Sequence, residues 1–114
     1  MFINFSNHPS DRWGEKQKKM ASCYGTIVDI PFPAVDPLED EAYIEKLSQE
    51  YVEQILKYQP KAVLCQGEFC LAYAVIQKLK ENKIVVLAAC SSRNTSESGN
   101  LKVSEFVFER FRQY

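Results

Sequence analysis

The chain is expected to fold as one α/β domain over residues 1–114, a Rossmann-like three-layer arrangement with a mainly parallel sheet and an antiparallel C-terminal strand. Three observations predict this. Short apolar runs alternate with helical segments along the whole length, the pattern of βα units stacked on one sheet. The 114 residues, 46% of them hydrophobic, suit a single core and no second domain. The last apolar run follows a polar connection too short and too poor in apolar residues for the crossover that a parallel return requires, so it should come back antiparallel.

The first strand is "MFINFS", with Phe2, Ile3 and Phe5 available for burial and Asn7, His8 and Pro9 to stop it. Ser10 or Asp11 can then cap a helix from Arg12 to about Ser22, which Gly25 ends. The second strand runs from Thr26 to about Ile30, and Pro31 and Pro33 halt it by removing backbone donors. Asp36, Pro37 and Glu39 carry a helix-start signal of cap, first-turn proline and capping-box carboxylate. In the helix that follows, Ile44, Leu47, Tyr51, Ile55 and Tyr58 recur at steps of three and four and mark one face for burial. "KAVLC" is the third strand; Gly67 turns the chain, and a helix from about Glu68 to Glu81 buries Leu71, Ala72, Val75, Ile76 and Leu79. "KIVVLAAC", nearly continuous in apolar residues, reads as a fourth strand covered on both faces and so placed at the sheet centre. "SSRNTSESGN" reads as a loop, and Leu101 to Phe111 supply the fifth strand.

Charge and cysteine content narrow the function classes. Fourteen basic against fifteen acidic residues leave a net charge of −1, which gives no general attraction for long nucleic acid or an anionic membrane. No apolar run approaches the ~20 residues of a membrane span, and no leader pattern opens the chain, so a cytoplasmic protein is expected. Cys23, Cys65, Cys70 and Cys90 form no CxxC pair and are read as reduced core residues. With His8 as the single histidine, the chain offers too few ligands for a zinc site, and no cofactor or metal is expected.

In open parallel sheets ligands bind outside the carboxyl ends of the strands. Here those ends carry "SNHPS", "PFP", "CQGE" and "CSSR". His8 has the one side chain with an ordinary pKa near neutrality and suits a general acid or base, or else a turn-bonded surface ring. Ser6 and Asn7 serve either a ligand or the turn itself. Gln66 and Glu68 can hydrogen-bond a base or ribose, although Glu68 equally suits the first turn of a helix. Gly67 either allows close approach of a ligand or only shapes the turn, since the rest of a dinucleotide fingerprint or P-loop is missing. Ser91, Ser92 and Arg93 combine two hydroxyls with a guanidinium, a set able to hold phosphate. Trp13 suits helix packing or base stacking. Arg110 and Arg112 suit phosphate, an edge strand or a subunit contact.

Three stretches bear a resemblance. "SNHPSDRW", "CQGEF" before an amphipathic helix, and "CSSRNT" with the terminal "SEFVFERFRQY" look like those of small stand-alone members of the CRISPR-associated Rossmann-fold superfamily, the ring nucleases encoded beside type III CRISPR systems. The resemblance implies recognition of cyclic oligoadenylate across the two-fold axis of a homodimer, with slow metal-independent cleavage by attack of a ribose 2′-hydroxyl. In that scheme Ser91, Ser92 and Arg93 hold phosphate, His8 assists proton transfer, and Gly67 with Glu68 approach a nucleotide. The same messenger bound without cleavage, by a sponge or sensor, is the alternative it leaves open, beside another small-nucleotide-binding α/β domain.

Overall fold

Strand β1 (Phe2–Ser6) is buried along its entire length, which places the start of the chain inside the sheet rather than at its edge. The computed structural model describes the backbone of residues 1–114 and all side chains except that of Ser98. After β1 come a 3-10 turn (Ser10–Arg12), α1 (Glu15–Ser22), β2 (Ile27–Pro31), α2 (Glu41–Leu56), β3 (Ala62–Cys65), α3 (Phe69–Glu81), β4 (Val85–Ser98) and β5 (Leu101–Gln113). The five strands lie in the order β2-β1-β3-β4-β5. All pairs are parallel except β4 with β5, so the mixed α/β sheet with an antiparallel final strand is present as expected.

Period-two alternation divides the core between two faces. Ile3, Phe5, Val63, Cys65 and Val86 point toward α2 and α3, where Val52, Ile55, Leu71, Val75 and Leu79 meet them. Phe2, Ala62, Leu64 and Leu87 point the other way, against Trp13, Ala21 and Phe111. Helix α1 has only eight residues and covers this second face incompletely. No described helix is long and apolar enough to cross a membrane.

Several expectations are corrected. Helix α1 begins at Glu15 rather than Arg12, because Trp13 is extended, with ψ 150°, and its indole is drawn down onto the core. Helix α2 begins at Glu41: Asp40 caps it by accepting from Tyr43 N, whereas Asp36 accepts from Leu38 N and closes a separate turn. Two similar cap signals lie four residues apart, and the later one is used. On α2 Ile44, Leu47, Tyr51 and Ile55 pack on the core as expected, with Ser48 and Val52 buried beside them, but Tyr58, beyond the helix end, is exposed. Strand β2 extends through Pro31, which an edge strand tolerates. The sheet centre is β3 rather than β4, since β2 turns back to the far side of β1. Only Cys65 is a core cysteine; Cys23 and Cys70 are exposed and Cys90 is half-buried, all four with free thiols. Cys70 lies in an apolar run but on the solvent side of α3.

The largest departure is the segment read as a polar loop. It is strand: β4 continues to Ser98, and a two-residue turn at Gly99 and Asn100 returns the chain into β5. Gly99 has φ +64°, the left-handed geometry that the first position of a tight hairpin turn demands. Pairing with β3 ends at Leu87, so beyond it β4 and β5 project past the sheet as a two-stranded ribbon. Polar residues are compatible with strand here because the ribbon stands in water on both faces, unlike a strand that must help close a core.

Candidate functional site

The β1 connection leads to α1 on one face of the sheet and the β3 connection leads to α3 on the other, so the two neighbouring strand ends diverge. Such a switch point opens a crevice at the carboxyl edge. On the α1 face, where the short helix leaves the strand ends uncovered, a cavity of about 530 Å³ is lined by Ser6, Asn7 and His8 after β1, Gln66 after β3, and Ser91 on β4. Arg12, Trp13 and Phe106 complete its cationic and aromatic wall.

A polar network under the cavity sets the shape of the β1 loop. Asn4 and Asp29 are cross-strand partners on β1 and β2. Asn4, buried to 1% exposure, donates from Nδ2 to the His8 carbonyl (2.9 Å) and to Asp29 Oδ1 (2.9 Å), and its Oδ1 accepts from Ser6 Oγ (2.7 Å). The Trp13 indole N–H also donates to the His8 carbonyl, at 3.1 Å. Asp29 accepts from the Ser10 amide and, at 3.0 Å, from its hydroxyl. The His8 backbone is therefore gripped from several sides while its exposed imidazole has no hydrogen-bond partner among the described residues. Every described buried polar side-chain atom is satisfied.

Gln66 ties the cavity to β4: its Oε1 accepts from Ala89 N at 3.0 Å, next to the irregularity at Cys90 and Ser91 where β5 carries an extra residue. Ser91 pairs with Phe108 and Arg93 with Phe106, so alternation puts all four on the cavity side of the ribbon. Arg93 thus stands two pairs beyond Ser91, outside the cavity lining, donating from Nη2 to Ser104 Oγ at 3.2 Å. Ser92, paired with Val107, points from the opposite face. Arg110 and Arg112, paired with Cys90 and Ala88, share that opposite face and are turned away from the cavity.

Gly67 and Glu68 are not in this cavity. A Cβ at Gly67 would come within 2.6 Å of the Phe32 ring, so that side of the glycine is filled by a buried phenylalanine, and Gly67 lines instead a separate groove beside α3. Glu68 is the N-cap of α3: Oε1 accepts from Cys70 N (3.0 Å) and Oε2 from Leu71 N (2.8 Å). The Leu71 amide, foremost, holds the Glu68 carboxyl below its ordinary pKa, and Glu68 in turn raises that of the Cys70 thiol. Burial pushes the Cys65 thiol up to about 12, which makes it inert as a nucleophile. Tyr114 Oη donates to the Cys65 carbonyl at 2.8 Å, and partial burial raises its pKa. No group of three or more His, Cys, Asp or Glu side chains suited to a metal ion occurs among the described residues.

The sequence reading missed Asn4, Ser10 and Asp29. For Asn4 and Asp29 the signal was present: a polar residue in "FINFS" and again in "IVDIP" interrupts two otherwise apolar runs.

A family model described as the uncharacterized protein MJ1673 family matches residues 1–112. The chain belongs to that family. No curated protein and no solved structure matches the chain. The stretch shared with the MJ1673 family contains every residue lining the cavity and the whole network beneath it, and excludes Tyr114.

Proposed function

We propose that this chain is a CRISPR-associated ring nuclease that binds cyclic oligoadenylate at the carboxyl edge of its sheet and opens it by metal-independent chemistry. The observation that carries the proposal is the convergence of Ser6, Asn7, His8, Gln66 and Ser91 on one cavity with an arginine and two aromatic side chains in its wall. Hydroxyl, amide and guanidinium donors suit phosphate and base edges, and aromatic faces suit stacked adenines. In the proposed reaction a ribose 2′-hydroxyl gives up its proton to water as its oxygen bonds to the adjacent phosphorus, and the bond to the 5′-oxygen breaks, leaving a cyclic phosphate and a 5′-hydroxyl. The enzyme's task is to hold these atoms in line and stabilise the charge that develops. His8 gives a proton to the leaving oxygen, Arg12 and Ser91 contact the phosphate, and Arg93 joins them by exchanging its Ser104 contact for the ligand. Two copies would present equivalent strand ends to a ring of repeated units.

A second reading, a binder that sequesters the messenger intact, is favoured by one specific feature: among the described residues no side chain orients the His8 imidazole, as the partner of a general acid normally does. Incubation with labelled cyclic tri-, tetra- and hexa-adenylate in EDTA separates the readings. Linear products support the nuclease, retention without conversion the binder, and neither result refutes both. In the nuclease case His8→Ala slows cleavage about 10²-fold with binding retained, and Arg93→Ala weakens retention by about 1.5–3 kcal/mol.

A further inference from the structure

We propose that the β4–β5 ribbon is a docking arm, and that in a two-fold dimer the arm of each copy lies along helix α3 of the other. The proposal specifies the contact between copies that the proposed function presumes, and its test contains no nucleotide, so either can fail alone.

Only the base of the ribbon, through Ala89, Phe108 and Phe111, packs on its own subunit's core. Beyond Leu87 it has no strand on the β3 side, and a two-stranded ribbon alone in water is marginal. Alternation places Leu101, Val103, Glu105 and Val107 on one face of β5, opposite small polar residues of β4 that leave the stripe raised. Leu101 is 70% and Val103 55% exposed. That face is the one turned away from the candidate nucleotide cavity, so docking through it leaves Ser91, Arg93 and Phe106 on the cavity side.

The same chain carries a second partly exposed apolar surface, in which Ile76 also packs on the core. Phe69, Tyr73, Ile76 and Lys80 recur along α3 and line a groove of about 620 Å³ closed on its other side by Tyr114. Phe69 is 90% exposed, an unusual position for a phenylalanine at the start of a helix. The spans are comparable: residues 73–80 of a helix cover about 10 Å, and residues 101–105 of a strand about 14 Å.

Charge selects the occupant and its direction. Glu105 interrupts the apolar stripe and Lys80 ends the groove, and neither has an ion-pair partner among the described residues. Setting Glu105 against Lys80 of the other copy brings Val103 to Ile76 and Leu101 to Tyr73, apolar against apolar. A second copy therefore covers Tyr73 and Ile76 together with Leu101 and Val103, and two-fold symmetry makes each contact twice. Because Ser91 and Phe106 belong to the arm, gripping the arm also fixes one wall of the cavity.

Sedimentation of the ligand-free full-length protein tests the arrangement. The expected species is a dimer at micromolar concentration. Glu105→Lys and Lys80→Glu, both exposed and remote from the core, should each raise the dimer dissociation constant about tenfold or more by placing like charges together. The double variant should recover most of the loss. A monomer throughout the micromolar range overturns the proposal, as does a dimer indifferent to the single reversals or one that the double variant fails to restore. Far-ultraviolet circular dichroism of each variant, unchanged from the parent, excludes unfolding as the cause of dissociation.

Discussion

Asn4→Ala removes the amide on which the whole β1 loop depends. Three hydrogen bonds disappear together: those to the His8 carbonyl, to Asp29 and from Ser6. Two neutral bonds at about 1 kcal/mol each and one to a carboxylate at about 1.5–3 kcal/mol sum to about 4 kcal/mol. Asp29 is exposed, and water can replace its lost donor, so about 3 kcal/mol is the expected loss. An unfolding entropy near 2.1 cal/mol/K per residue over 114 residues converts this into a Tm decrease of about 12 °C. Urea and thermal unfolding followed by circular dichroism read both quantities. A companion variant, Asn4→Asp, tests the electrostatic part. Its new carboxyl lies beside Asp29, so its folded pKa is raised above the unfolded value. The sign follows directly: relative to Asn4→Ala, its stability is best below the unfolded carboxyl pKa and declines as pH rises through the folded one. Losses below about 1 kcal/mol for Asn4→Ala, or an Asn4→Asp variant without that pH trend, would refute the network as the organiser of the site.

Gly67→Ala should cost about 1–3 kcal/mol through overlap with the Phe32 ring; the penalty should shrink in a Phe32→Leu background, and equal penalties in both backgrounds would place the constraint elsewhere. Glu68→Gln should accelerate alkylation of Cys70 near neutral pH by removing the neighbouring charge, measured by mass spectrometry of the labelled peptide. The same variant should lose stability that in the parent is present above the unfolded carboxyl pKa, about 4.3, and fades as pH falls through the lower folded value. An unchanged Cys70 rate would show that the carboxylate does not act on the thiol.

How much of this was legible in the chain depends on the range of the interactions involved. The alternation of βα units and the antiparallel direction of β5 are local or nearly local consequences of apolar period and connection length, and the sequence by itself determined them. Where two local signals competed, as at Asp36 and Asp40, it did not determine which would be used. Nor could it show that Ser91 to Ser98 are strand: polar side chains there exclude a core position but not a ribbon in water, and the pairing partners lie from Leu101 onward. The candidate site was partly legible because the carboxyl edge of a parallel sheet collects strand-end residues, and Ser6, Asn7, His8, Gln66 and Ser91 do meet there. Tertiary structure alone decided that Gly67 faces Phe32, that Glu68 is consumed by α3, and that Asn4 reaches Asp29 across strands. Side-chain direction and the filling of space depend on neighbours distant in sequence, whereas period and capping depend on neighbours within a turn.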